Sequence, residues 1–440
     1  MVQQRRGTLL SHSENKRKTH TVNTVDKTIV VAVIGLMLVS LVAIFSTTYL
    51  YNNNGSIRST LFQGVWFVIG SMVAYLFMLV DKRTWYQWAP VGYFIGIFLL
   101  ILVLLFYSRD MATLTGARSW FAVGSFSFQP SELMKFLYLV MMARLVSDYM
   151  RTSQDEHYSE CPVSWQLRWD IRFIGRLLMW TLPPMVLIIL QRDLGTTLVF
   201  LMIFVGIVFV SGINWRIILP VALILSAIFL ILLFLVIYDR EVLYHLGFKD
   251  YQFARIDSWL RPFENTRQES YQLSQSLKAI GSGQFIGKGL GKFEVYVPVR
   301  ESDMIFATIG ENFGFLGASV VLLLLFILLF QMIAIAYESY SSFFVTGVSA
   351  IVAMMTFHIV ENVGMSMGLL PLTGIPLPFI SQGGSAIVMN MMCIGFVLSI
   401  RYNEERSESE VSQRWIVRIL RRLSHLPGME RFQKKTSRAI

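Results

Sequence analysis

Long stretches of this chain run without a single charged side chain, and that property decides most of what it can fold into. Residues 28–57, 59–80 and 84–108 carry no charge, and neither do 194–211, 217–238 and 362–400. A helix crosses the hydrocarbon core of a bilayer with about 20 apolar residues. Interrupted windows extend the pattern. The stretch 136–143 continues back through Lys135 and Glu132, and 177–191 follows it. Residues 305–337 are broken only by Glu311, and 339–357 continue past His358 and Glu361. The last window is too long for one span, and Pro371, Pro376 and Pro378 divide it. The reading is an all-α polytopic membrane protein with about ten transmembrane helices and one long extracytoplasmic loop, 239–304.

Composition agrees. Hydrophobic residues make up 54% of the chain and charged residues 15%, against about 25% charged in soluble domains. That excludes an ordinary soluble enzyme, a disordered chain and a collagen-like fibre. No cleavable signal peptide is expected, because the first 27 residues are polar and the following apolar stretch is too long for a signal core. Cys161 and Cys393 stand in no metal-ligand spacing.

Charge distribution sets the orientation. With ten spans both termini share one side. The segments on that side hold 24 of the 38 Lys and Arg, and the short opposite loops hold only Arg58, Arg109, Arg118 and Arg192. Cytoplasmic loops are the ones enriched in Lys and Arg, so both termini are expected in the cytoplasm. The interval 239–304 carries nine Lys and Arg, and loops of that length escape the rule. The chain divides into a cytoplasmic tail (1–27), a ten-helix membrane domain (28–402) and a basic cytoplasmic tail (403–440). In the second tail, Trp415 to Arg422 has the basic and apolar mixture of a membrane-surface helix. Neither an aromatic nor a zinc framework points to nucleic acid.

Ionisable residues inside spans are costly and mark candidate sites. In Gln129-Pro130-Ser131-Glu132-Leu133-Met134-Lys135 the carboxylate and the amine lie at i and i+3, share a helix face and can neutralise each other. Both a structural ion pair and an intramembrane site for an anionic ligand fit. Arg118 beside Trp120 reads alone as a membrane anchor. Asp193, between two spans, fits a helix cap before Leu194-Gly195-Thr196. The run Gly281 to Gly289 nearly matches a phosphate-binding loop, but its spacing is one residue too long and Gly289 stands where Ser or Thr is needed. A nucleotide is excluded there; a glycine-rich turn near a lipid-linked phosphate is not. His358 and Glu361 share a face and read as a buried hydrogen-bonded pair rather than a metal site. Asp303 and Glu311 suit the N-terminal charge of the helix that follows.

These motifs occur in a definite order. Gly116-Ala117-Arg118-x-Trp120 comes first, then Gln129-Pro130-Ser131-Glu132-x-x-Lys135, then Asp193-Leu194-Gly195-Thr196. The long loop adds Tyr271-Gln272-x-x-Gln275-Ser276, Ala279 to Gly283, and Ser302 to Ala307 with Glu311 after it. Gly368 to Pro378 and Phe379-Ile380-Ser381-Gln382-Gly383-Gly384-Ser385 close the set. The set resembles the SEDS family (shape, elongation, division and sporulation), the RodA, FtsW and SpoVE proteins, over roughly residues 28–402. Val297 to Asp303 looks most like RodA of Gram-positive cocci.

The resemblance implies a peptidoglycan glycosyltransferase. Such an enzyme polymerises lipid II into glycan strands at the outer face of the cytoplasmic membrane, for elongation and shape, beside a class B penicillin-binding protein. It implies membrane lipids as surroundings and no fixed cofactor, while leaving room for a divalent cation. It places substrate contacts at Arg118, Glu132, Lys135, Asp193, Gln275, Lys288, Asp303, Ser381, Gly383, Gly384 and Ser385. Inverting transfer needs a general base on the acceptor hydroxyl. The family's catalytic aspartate stands six residues before the Tyr-Gln pair, where this chain has Asn265, with Thr266 for the usual proline. Glu264, then Asp257, then Glu269 are the carboxylates expected to replace it. A precursor flippase and a non-catalytic scaffold for a penicillin-binding protein are the competing functions.

Overall fold

The computed structural model describes residues 25–50, 57–124, 126–153, 162–245, 250–264 and 269–403. Cys161, Asn265 and the basic helix expected at 415–422 lie outside them. Helix α1 (Lys27–Phe45) continues into a π-helical turn, Ser46–Leu50. Then come α2 (Arg58–Met78), α3 (Lys82–Phe106) and the short α4 (Arg109–Thr115). Strands β1 (Phe121–Val123) and β2 (Phe126–Phe128) pair antiparallel, with Phe121 opposite Phe128. Helices α5 (Pro130–Ser153), α6 (Val163–Leu190), α7 (Leu194–Val210) and α8 (Trp215–Tyr238) follow. The long interval is not structureless: it holds α9 (Arg240–His245), α10 (Asp250–Leu260) and α11 (Glu269–Ser282). The chain closes with α12 (Ile305–Glu338), α13 (Ser342–Ser366) and α14 (Gly384–Asn403).

Among the described residues, eight helices are long and apolar enough to cross a membrane: α1, α2, α3, α6, α8, α12, α13 and α14. Helix α7 is apolar but shorter, and α5 carries Glu132 and Lys135; the expectation of ten spans counts both of these with the eight. Their burial separates inner from outer helices. Helix α14 is mostly buried, α13 is buried over about half of its length, and α5 packs its Met134-to-Val146 stretch almost wholly inside. Helix α8 buries only Ile218 and Val236 and presents apolar residues all round, which suits a lipid-facing span.

Helix α12 is two helices joined at Gly314, whose φ of 61° and ψ of −158° are not helical. Only glycine takes such a conformation readily. The break turns the short first half, with Glu311 and Asn312, into the protein interior. At the opposite end of the bundle, Asp26 caps α1 through Thr28 N–H (3.0 Å) and Ile29 N–H (3.1 Å). It also accepts from Arg401 (2.6 Å) and Gln331 (2.9 Å). Arg401 reaches Glu338 as well, at 3.1 Å. One carboxylate thus ties the start of α1 to the ends of α12 and α14.

Candidate functional site

Pro130 starts α5, so the residues before it are extended and free to bridge. Gln129 N–H donates to Ser385 Oγ (3.1 Å), and its side-chain amide donates to Asp193 Oδ2 (3.0 Å). The other oxygen of Asp193 caps α7 through Thr196 N–H at 3.0 Å. One turn into α5, Glu132 and Lys135 form an ion pair of 2.8 Å, with side chains 7% and 2% exposed. Lys135 Nζ also lies 3.4 Å from His358 Nε2. The three residues border a cavity of about 10 Å³ that Ser381 and Asn390 help to line. His358 therefore pairs with Lys135, and Glu361 hydrogen-bonds to Thr373. The expected His358–Glu361 pair does not form; each residue meets a partner on another segment instead, Lys135 of α5 for His358 and Thr373 of the loop for Glu361.

The proline-broken stretch between α13 and α14 gathers the other motifs. Ser381 Oγ accepts from Leu377 N–H (2.8 Å) and donates to the Ser302 carbonyl (2.7 Å). Gln382 N–H donates to the Glu301 carbonyl at 2.9 Å. Gln63 of α2 donates to the Ser381 carbonyl (3.2 Å) and to Ser40 Oγ (3.1 Å), and accepts from Gly383 N–H (3.4 Å). Asn362 donates to the carbonyls of both Asp303 and Ile375, each at 2.8 Å. Sequence reasoning missed Gln63 and Asn362. For Gln63 the available signal was a lone amide in an otherwise charge-free, apolar stretch; Asn362, next to Glu361, carried no such signal. On the α2 side this stretch forms one wall of a groove of about 630 Å³, whose other walls come from Arg58, Phe62, Trp66 and, on the hairpin side, Trp120 and Ser127. A Cβ on Gly384 would overlap the indole of Trp66, so glycine there is what lets the ring lie against the backbone.

The glycine run of the long interval packs against the protein's own backbone. Lys288 N–H and Gly289 N–H donate to the carbonyls of Glu311 and Asn312, each at 3.0 Å. Phe315 N–H and Leu316 N–H return bonds to Gln284 and Phe285. Side chains at Gly283 or Gly287 would overlap the carbonyls of Gly310 and Asn312. The run is a backbone strap across the break in α12. Gly287→Ala is expected to lower the folded yield, read as the monodisperse fraction in size-exclusion chromatography, whereas Gly281→Ala, which faces open space, is expected to be silent. Lys288, a proposed substrate cation, spends its charge on Glu294 (2.7 Å) and Glu311 (3.5 Å).

The remaining expected residues spread over this end of the bundle. Arg118 donates its backbone N–H to the Gln191 carbonyl (2.8 Å), and its guanidinium lies 5.3 Å from the Tyr107 ring centre. Gln275 is partly buried on α11, next to Ser276, whose hydroxyl donates to the Ser366 carbonyl at 2.8 Å. Of the three base candidates, Asp257 is gripped by both terminal nitrogens of Arg240. Glu264 is exposed and pairs with Arg261 at 3.3 Å. Glu269 begins α11. Neither Asp303 nor Glu311 caps α12: its N-cap is Met304, without a side-chain bond. Among the described residues no cluster of three or more His, Cys, Asp or Glu could hold a metal ion.

Asp303 instead turns its carboxylate toward Gly374. Burial pushes its pKa up to about 7, the negative charge of Glu301 adds to this, and the Ser302 hydroxyl opposes it. The sign follows from linkage. Between the usual carboxylate range and about pH 7, the folded protein holds a proton that the unfolded chain releases, so stability falls as pH rises through that window. Asp303→Asn is expected to flatten this fall in thermal unfolding scans between about pH 5 and about pH 8. Equal slopes in the two proteins would count against it.

Comparison with known proteins places these features in a family. A family model described as "Cell cycle protein", FtsW/RodA/SpoVE, matches residues 25–406. Stage V sporulation protein E of Bacillus subtilis (strain 168) is 32% identical over 385 residues, covering 86% of this chain and 95% of that protein. Peptidoglycan glycosyltransferase MrdB of Escherichia coli (strain K12) is 30% identical over 348 residues, 78% of this chain and 85% of that protein. A solved structure described as "Structural coordination of polymerization and crosslinking by a peptidoglycan synthase complex" superposes with a TM-score of 0.68. It is 26% identical and covers 86% of this chain and 98% of that one.

Proposed function

The chain belongs to the FtsW/RodA/SpoVE family of cell cycle proteins, and from that membership we propose that it is a peptidoglycan glycosyltransferase polymerising lipid II into glycan strands. The observation that carries the reading is the convergence of its motifs. Gln129, Asp193, Ser302, Asp303, Ser381 and Ser385 come from four distant parts of the chain. Hydrogen bonds join Gln129 to Asp193 and Ser385, Ser381 to Ser302, and Asn362 to Asp303, at one end of a membrane bundle beside a groove of about 630 Å³.

In this reading the acceptor 4-hydroxyl attacks the anomeric carbon of the donor. The new glycosidic bond forms as the bond to pyrophosphate breaks, with inversion, and a carboxylate takes the hydroxyl proton. Glu264 keeps first place as that base, because engaging it costs only an exposed pair with Arg261, whereas Asp257 would have to leave a bidentate guanidinium. Arg118 is the cation we assign to the leaving pyrophosphate. Glu132 and Lys135, buried and mutually neutralised, support the site from beneath, and Asp193, Gln275, Asp303, Gly383, Gly384 and Ser385 line or brace it. We further assign cytoplasmic termini, a class B penicillin-binding protein as partner, and elongation rather than septation.

The test supplies labelled lipid II to the purified chain with its partner while transpeptidation is blocked, and resolves glycan on a gel. Polymer supports the enzyme. Lipid II translocation in liposomes without polymer would replace it with a flippase, and neither activity would leave a scaffold. Alanine at Glu264, Asp257 and Glu269 in turn locates the base; full activity in all three would remove it from this segment. Depletion is expected to give rounded cells; filaments would instead mark a septal role.

A further inference from the structure

We propose that the groove between α2, the β1–β2 hairpin and the start of α14 is a saccharide subsite that grips the amino-sugar part of the substrate rather than its lipid tail. The proposal rests on the glycosyltransferase reading for the source of its ligand, and on the groove itself for the ligand's class.

The volume, about 630 Å³, lies within the roughly 300–1,000 Å³ usual for small-ligand pockets. The lining alternates two chemistries. Trp66 and Trp120 contribute indoles, which offer a broad apolar face with a polar edge. Gln382, Ser59 and Ser127 add an amide and hydroxyls to that lining, while Gln63 beneath them is tied up inside the protein. A pyranose ring has the matching pattern, with apolar C–H faces and a rim of hydroxyl and acetamido groups. A polyprenyl chain has no partner for the Gln382 amide or the serine hydroxyls, and leaving them unmatched in an apolar complex costs free energy.

The groove is also held in shape. Trp66 lies against Gly384, where a side chain would overlap the ring. Gln63, 1% exposed, bonds across from α2 to Ser381 and Gly383. Gln382 is anchored through its backbone N–H to Glu301 and is one of the residues lining the groove. Ser381, one residue earlier, lines the Lys135 cavity instead. The groove therefore runs directly alongside the polar centre, as a sugar binding next to a reacting linkage requires.

The experiment uses the full chain with its partner. It reads two quantities: KM and kcat for lipid II, and binding of a lipid-free β-1,4-linked N-acetylglucosamine–N-acetylmuramic acid tetrasaccharide by saturation-transfer NMR. Trp120→Ala is expected to raise KM about tenfold, equivalent to about 1.4 kcal/mol, with kcat little changed, and to abolish tetrasaccharide binding. Trp120→Phe should recover most of both. Gln382→Ala, which keeps the backbone anchor, guards against a folding defect at Trp120 and should raise KM alone. Undecaprenyl phosphate, a tail without sugar, should not displace the tetrasaccharide. Displacement by that lipid, no tetrasaccharide binding by the unaltered protein, or a loss confined to kcat would each overturn the subsite. If the unaltered protein binds the tetrasaccharide but forms no polymer, the subsite stands and the polymerase reading fails.

Discussion

Glu311→Ala is expected to release the strap across α12 and to lower stability by about 3–5 kcal/mol, the range for stripping one partner from a buried charge network. The Glu311 side chain is fully buried. One oxygen accepts from Glu294 N–H (2.9 Å), Val295 N–H (3.2 Å) and Lys288 Nζ (3.5 Å), and the other from Arg300 Nη2 (3.3 Å). Removing it strands two backbone donors and takes a shared anion from two cations. Each buried donor left unmatched costs about 1–3 kcal/mol. The damage spreads toward the site, because residues 300–302 come soon after the Glu294 and Val295 contacts and hold Thr308, Gln382 and Ser381 through their carbonyls. Hydrogen exchange over residues 284–300 is the measurement, and protection there should disappear together with polymerisation. Glu311→Gln retains one acceptor oxygen and should fall between alanine and the unaltered protein. Unchanged protection in Glu311→Ala would show that the glycine backbone contacts alone hold the strap.

The helices of the bundle were legible because a bilayer imposes its signal on composition. Charge-free windows need no neighbour to explain them, and the three prolines after residue 370 separate α13 from α14 for the same local reason. Residues 239–304 were less legible. Their charge and length spoke against a span, but α9 to α11 inside them are short and of mixed polarity. The Glu132–Lys135 pair and the Asp193 cap could be read because both rest on spacing within one helix. Gln63 and Ser381 are 318 positions apart, and no local pattern encodes that bond. The glycine run shows a different limit. Close backbone approach requires glycine whether the approaching group is a phosphate or another strand of the same chain, and only the fold shows that Asn312 occupies the place. His358 and Glu361 do share a face, but spacing could not reveal that Lys135 lies opposite.

Lys135→Met is the other change with a large expected effect, and it separates two roles that the single structure superimposes. The ammonium is 2% exposed, 2.8 Å from Glu132 and 3.4 Å from His358. Methionine fills nearly the same volume, so the space beside His358 and Asn390 stays filled while Glu132 loses its counter-charge. An unpaired carboxylate at that depth costs about 3–5 kcal/mol, and the loss should appear as a lower unfolding temperature in detergent. Glu132→Gln alone leaves the ammonium uncompensated and should also destabilise. The double variant, Glu132→Gln with Lys135→Met, removes both charges and should regain most of the stability, because replacing a whole buried pair by neutral groups is often close to neutral. Activity then decides between the roles. If polymerisation returns with stability, the pair only braces the 376–381 turn above it. If the double variant is stable yet inactive, the charge itself acts on the substrate, and the buried pair must open during turnover. A double variant as unstable as Lys135→Met would instead mean that His358 or Asn390 depends on the ammonium, and the pair could not be treated as self-contained.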